Sequence, residues 1–401
     1  MSASIALLLS IVLVLVLLRL RIPPGPAVFC GSIVLSLLVL KPAQTPGLMV
    51  AALTDVQTIR LLAIVVCALA LSKYMELKGM LVRLANALET IGPRLAIHVA
   101  PVAIGLMPLP GGALVSATAV KDLVRRLRLS AEQATFINFW YRHICEFATP
   151  VYPGIIMAGV FLSVPLTFVL LHLAPIWLLM IAFGSIVSIR ILRSAPPPAP
   201  GKGRGNGLLR EIVHSAWPVL AVIGLVIAGL DAAPAFLATL VVLLVVQRAS
   251  HGELAESLRA GFEPRILFLL YAVMLYKTVV EASGAAHAMF ADMQAMGMPP
   301  LVILTGLPLL VGFSTGLSSA MVGITIPLLM PFLMRGGSID GLSFLLAYGA
   351  GGLGYLLSPL HLCLVLSTEY FKARLAAVYR YLLPPAVAIL AVLALVYVLF
   401  G

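Results

Sequence analysis

Apolar residues run along this chain in blocks of roughly 16 to 30 positions, parted by short polar connections. The blocks fall at 5–20, 25–40, 58–80, 131–160, 168–190, 212–230, 234–248, 265–284, 341–368 and 381–400. An α-helix rises about 1.5 Å per residue and a bilayer core is about 30 Å thick, so blocks of this length predict membrane-spanning helices. Only helices or closed barrels satisfy the backbone in lipid, and these blocks lack the alternation of barrel strands. The opening segment, Ile5 to Leu18, has no basic residue before it and is followed by Arg19, Arg21 and prolines, not by a small-residue cleavage site. It is therefore expected to stay as a first span.

Two more apolar stretches, 95–120 and 298–334, are interrupted by "MPLPGGALVSA" and "GFSTGLSSAMVG". Each predicts two half-helices meeting at a polar turn. Charge decides whether such a stretch crosses or turns back. If both turn back, all but six of the 26 lysines and arginines share one side. The six are Lys41, Arg60 and Arg335 opposite, and Lys73, Arg142 and Lys277 within spans. A crossing would scatter the positive charge, so re-entrance is favoured. The linker at 195–211, part of "RSAPPPAPGKGRGNGLLR", is then cytoplasmic, and both termini lie outside the cell inner membrane.

Composition agrees, with 62% hydrophobic and 10% charged residues among 401. No soluble domain covers so much apolar surface with so few charges. The net charge of +11 sits between spans, which points to anionic lipid and not to nucleic acid. Cys30, Cys67, Cys145 and Cys363 are scattered through apolar segments and are expected to be small packing residues.

The halves repeat. "LALSKYMELKG" aligns with "VMLYKTVVEASG", setting Lys73 against Lys277 and Glu76 against Glu281. "PLPGGALVS" aligns with "FSTGLSSA", Gly112 against Gly316, and "ATPVY" with "LSPLH", Pro150 against Pro359. The expected architecture is an all-α polytopic membrane protein of two repeats, 1–194 and 212–401, each with about five spans and one hairpin. An odd number of crossings inverts the second copy, an arrangement typical of secondary transporters.

Irregular backbone at membrane depth persists only where it is buried or lines a cavity. Four breaks qualify: the tips near Pro110–Gly112 and Ser314–Ser319, and the interruptions at Thr149–Pro150 and Ser358–Pro359. Proline frees carbonyls that coordinate Na⁺, and half-helix N-termini attract anions. The hydroxyls of Ser314, Thr315, Ser318 and Ser319 both donate and accept. Ser116, a turn from its tip, suits packing equally.

"FWYRHICEFATPVYPG", 139–154, places Arg142, His143 and Glu146 inside one apolar segment. Arg142 and Glu146, four apart on one helix face, either neutralise each other or serve a ligand. In the second case Arg142 holds a carboxylate in its fork while Glu146 or His143 carries a coupling proton. The mirror segment "YGAGGLGYLLSPLH" has no ionisable group of that kind until His361, a third proton candidate, so the fold does not demand the cluster. Lys73 and Lys277, present in both halves beside acids, are expected to form structural ion pairs.

The motifs "MPLPGGALVSATAV", "NFWYRHICEFATPVYPG" and "GYLLSPLHLCLVLSTEYF" resemble the integral-membrane family filed as domain of unknown function 401, in the ion-transporter superfamily with citrate, gluconate, C4-dicarboxylate and arsenite carriers. The resemblance implies inverted repeats, re-entrant hairpins, elevator-like movement and a homodimer. It places substrate and cation at Gly111, Gly112, Thr149, Pro150, Ser314, Thr315, Gly316, Ser318, Ser319, Ser358 and Pro359. Neither tip holds the asparagine of the dicarboxylate carriers' Ser-Asn-Thr tips.

The leading expectation is a secondary active transporter of a small organic anion, coupled to H⁺ or Na⁺, with no other cofactor. A lipid-phosphate flippase is the alternative; it requires a lateral opening beside 139–154. A membrane-embedded enzyme is less favoured, because no G-x-x-x-x-G-K-[ST], H-E-x-x-H or G-x-S-x-G motif occurs.

Overall fold

A computed structural model describes residues 2–88, 92–106, 112–193 and 208–401. Pro110, Gly111 and most of the linker lie outside the described residues.

The first half begins with α1 (Ala3–Arg19), α2 (Pro24–Val39), α3 (Thr45–Thr54) and α4 (Val56–Leu77). It continues through α5 (Met80–Leu88), α6 (Pro93–Ile104), α7 (Gly112–Ala119) and α8 (Lys121–Arg126) to α9 (Ala131–His143), α10 (Pro153–Leu162) and α11 (Leu166–Arg193). The second half holds α12 (Leu208–Ile227), α13 (Ala232–Val246), α14 (His251–Gly261), α15 (Pro264–Ser283) and α16 (Ala285–Ala295). Then come α17 (Pro300–Thr315), α18 (Ser318–Leu333), α19 (Gly341–Leu357), α20 (Leu362–Phe371) and α21 (Leu375–Phe400).

Among the described residues, six helical stretches are long and apolar enough to cross a bilayer, and the protein is a multi-pass membrane protein. Outward-facing Leu171, Val245, Leu395 and Val398 are exposed, as lipid contact requires. The two apolar stretches interrupted in the sequence are interrupted in space. The pair α6 and α7 occupies 93–119, and α17 and α18 meet at Gly316, whose left-handed backbone (φ 65°) ends the first arm.

Element order recurs, α1–α7 in α12–α18 and α9–α11 in α19–α21, and a two-stranded hairpin, Met334–Arg335 with Ser338–Ile339, stands where the first half has α8. Even the ends match: α10 closes on Ser163 and α20 on Lys372, both left-handed. Packing follows the same exchange. Helix α10 packs on α18 and α20 on α7; α4 packs on α13 and α14, while α15 packs on α2 and α3.

Candidate functional site

Helix α9 starts from a capping box, with Ser130 Oγ accepting from Gln133 N, and stays regular to His143. Residues Ile144–Phe147 tighten into a 3₁₀ turn, and helix resumes only at Pro153, whose missing N–H suits a first-turn position. Two close approaches fix this break. The α-carbon of Gly105, just past α6, rests on the Arg142 carbonyl where any Cβ would collide, and the Tyr152 hydroxyl donates to the Gly105 carbonyl. The second break, between α19 and α20, lies against the turn from α17 to α18. A Cβ on Gly316 would come within 2.9 Å of the His361 nitrogen and the Leu360 carbonyl carbon.

These breaks bring together the ionisable groups named from the sequence. Arg142 (3% exposed), His143 (0%), Glu146 (9%) and His361 (6%) are all buried. The Nε2 of His143 lies 3.0 Å from Nε2 of His361 and 3.7 Å from Glu146 Oε1, while its Nδ1 is 2.6 Å from the Phe139 carbonyl. Arg142 donates through Nη1 to Cys363 Sγ at 3.4 Å. Arg142 acts on Glu146 through its charge, while His143 Nε2 is the basic group that approaches Glu146 Oε1. The α-helix yields to the 3₁₀ turn after His143, which makes that histidine a neighbour of Glu146. The Tyr355 hydroxyl faces the Glu146 carboxyl group.

The tips are less uniform. Ser318 reaches α10, since a Cβ on Gly154 would sit 3.1 Å from both Ser318 Cβ and the Tyr348 hydroxyl. Gly112 opens α7, and the next residue's carbonyl accepts from Asn138 Nδ2 (3.2 Å), which also donates to Ser367 of α20 at 2.9 Å. Asn138, Tyr152 and Tyr355 were not singled out from the sequence, and Cys363 was expected only to pack. Only their placement in or beside the breaks signals them. Thr149 and Thr315 are buried with their hydroxyls donating locally, to Cys145 O (2.9 Å) and Gly312 O (3.3 Å). Ser358 Oγ accepts from Leu360 N at 3.1 Å. Ser314 and Ser319 are half-buried, and Ser116 is fully buried and bonded within its helix. Pro150 is buried, whereas Pro359 is exposed and does not join the cluster.

Lys73 and Lys277 form ion pairs away from this centre. Lys73 lies 3.5 Å from Glu76 and 3.3 Å from Glu256. Lys277 lies 3.8 Å from Glu281 and donates to Gln57 Oε1 at 2.8 Å. Beside the first break, a largely apolar groove of about 760 Å³ runs between α6 and α11, with Cys145, Ala148 and Thr149 along it.

The fold is similar to that of the Alcanivorax borkumensis YdaH transporter, whose crystal structure is described as revealing an unusual topology. The TM-score is 0.60 at 15% sequence identity, over 87% of this chain and 86% of that one. A comparison with curated proteins finds no match. The family model for the proteins of unknown function DUF401 matches residues 1–400, and the chain belongs to that family.

Proposed function

We propose that this protein is a secondary active transporter of a small organic anion. The observation that carries the reading is the position of Arg142. A buried guanidinium sits where a helix break of the first half meets a helix break of the second, next to two histidines and a carboxyl group. Intramembrane ionisable groups at interrupted helices mark substrate and ion pathways. Arg142 supplies the fork for a carboxylate. The first turns of α10 and α18, which pack on each other, add the positive ends of two helices.

The two halves are taken as inverted repeats, the pairs α6/α7 and α17/α18 as re-entrant hairpins, and the four interrupted elements as one moving body. Recurring element order and the exchanged packing of α10 on α18 and α20 on α7 support this. The similarity to the YdaH transporter fold supports a transport role. In this reading the linker is cytoplasmic, both termini lie outside the inner membrane, the protein works as a homodimer by elevator-like movement, and it belongs with the ion-transporter superfamily carriers. His143, His361 and Glu146 carry the coupling proton; Na⁺ at the tips is the alternative coupling ion.

The test is solid-supported-membrane current from reconstituted protein against a panel of carboxylates, at two pH values and with or without Na⁺. A current that Arg142→Ala abolishes and Arg142→Lys strongly weakens is expected. Silence toward every soluble anion, together with binding of polyprenyl phosphate, would replace this reading with the second, a lipid-phosphate flippase. That reading is favoured by the apolar groove beside residues 144–149, which suits a lipid tail.

A further inference from the structure

His143, His361 and Cys363 bring one ligand atom each, a ring nitrogen from each histidine and the Cys363 Sγ, within 4.8 Å of one another. They come from both halves of the chain, His143 from the end of α9 and the other two from the start of α20. We propose that they form a binding site for a borderline transition-metal ion of the zinc class, with Glu146 as the oxygen ligand in reach.

The tautomers argue first. His143 Nδ1 is 2.6 Å from the Phe139 carbonyl and must carry the hydrogen there, so neutral His143 presents a lone pair at Nε2. Metal-bound histidines have this arrangement, one ring nitrogen donating to a carbonyl and the other facing the ion. The Nδ1 of His361 is buried and makes no hydrogen bond, so nothing holds the ring hydrogen at Nε2. With that hydrogen on Nδ1, a second lone pair faces the first at 3.0 Å. In that tautomer a cation is held between two facing lone pairs. Nitrogens bound about 2.0 Å from a tetrahedral ion stand about 3.3 Å apart, close to the separation found.

The donor set chooses among cations. Na⁺ and Mg²⁺ prefer oxygen, whereas imidazole with thiolate selects zinc and its neighbours. Binding releases the Cys363 thiol proton, and the Arg142 guanidinium 3.4 Å away steadies the resulting thiolate. Charge is then nearly balanced, with Cys363 and Glu146 negative against Arg142 and a divalent ion.

Cobalt(II) is the probe, added to tag-free, chelator-washed full-length protein in detergent. One Co²⁺ per chain should give tetrahedral visible bands and a near-ultraviolet thiolate-to-cobalt band, and Zn²⁺ should displace it. Cys363→Ser should lose the ultraviolet band and keep the visible ones, Cys145→Ser should change neither, and His143→Asn or His361→Asn should weaken binding at least about tenfold. Weak visible bands of a six-coordinate aquo type, or an ultraviolet band that survives Cys363→Ser, would overturn the site. Should a histidine variant not fold, Cys363→Ser still decides. Because the spectrum is recorded without substrate or gradient, its failure leaves the anion-transport reading standing, and failure of transport leaves the metal site standing.

Discussion

His143 and His361 meet nitrogen to nitrogen at 3.0 Å although 218 positions separate them. Each stands at one break in a helix, so this contact ties the two halves together. Replacing His361 by Gln keeps a polar group but removes the ring nitrogen that answers His143. In the proposed transporter, His361→Gln should abolish proton-driven accumulation while substrate counterflow, which needs no net proton movement, persists. A pH-sensitive dye inside the vesicles, read beside substrate uptake, separates the two. Proton uptake that still accompanies substrate in the variant would remove the pair from the coupling path.

Gly316 is the residue on which the second hairpin turns. Its φ of 65° disfavours any side chain, and a Cβ there would approach the His361 nitrogen to 2.9 Å. The left-handed backbone alone costs a non-glycine residue about 1–2 kcal/mol. Gly316→Ala should therefore lower the thermal unfolding midpoint in detergent and impair transport, because the tip must withdraw from residues 360–361. Gly306→Ala, on the same helix with no atom near its Cβ position, is the control and should leave both unchanged.

Much of this was legible in the chain. Block lengths placed most of the long helices within a few residues, and among the described residues six helical stretches are long and apolar enough to cross a bilayer. The second Pro/Gly/Ser interruption falls where α17 ends at Gly316. The short helices α3, α5, α14 and α16 are absent from the sequence reading, because hydropathy over span-length windows cannot register elements of 9–11 residues. One of them had a signal: Ser250 and Glu253 form a capping box ahead of α14. The contact of Cys363 with Arg142 escaped for a different reason: the two are far apart in the chain and meet only where the halves touch. The contact of His143 with Glu146 was not legible because one turn of 3₁₀ helix, invisible to periodicity, changes which side chains stack.

Lys277 separates structure from function. Its ammonium donates to Gln57 at 2.8 Å and lies 3.8 Å from Glu281, joining α15 to the start of α4. Lys277→Met should cost about 1 kcal/mol of stability, the net worth of one such hydrogen bond. Gln57→Ala should cost a similar amount, and the double variant should cost less than the sum, since both remove the same contact. Denaturation midpoints check this. Transport should stay within a factor of about two in all three; a larger loss in Lys277→Met alone would move this lysine from scaffold to mechanism.

Gly154 and Ser318 test how the two halves engage. They begin α10 and α18, elements of opposite halves, and a Cβ on Gly154 would lie 3.1 Å from Ser318 Cβ. Disulfides join Cβ atoms about 3.5–4.5 Å apart, so Gly154→Cys with Ser318→Cys needs a shift of only a few tenths of an ångström. In a background with Cys30, Cys67, Cys145 and Cys363 replaced by serine, mild oxidation of membranes should cross-link the pair, as peptide mass spectrometry would report. The functional consequence follows from the proposed elevator. If α10 and α18 travel together, the cross-linked protein should still transport at a substantial fraction of the reduced rate. A cross-link that forms and stops transport, with recovery on reduction, would show the two helices moving against each other and replace the single moving body with a rocking of one half on the other.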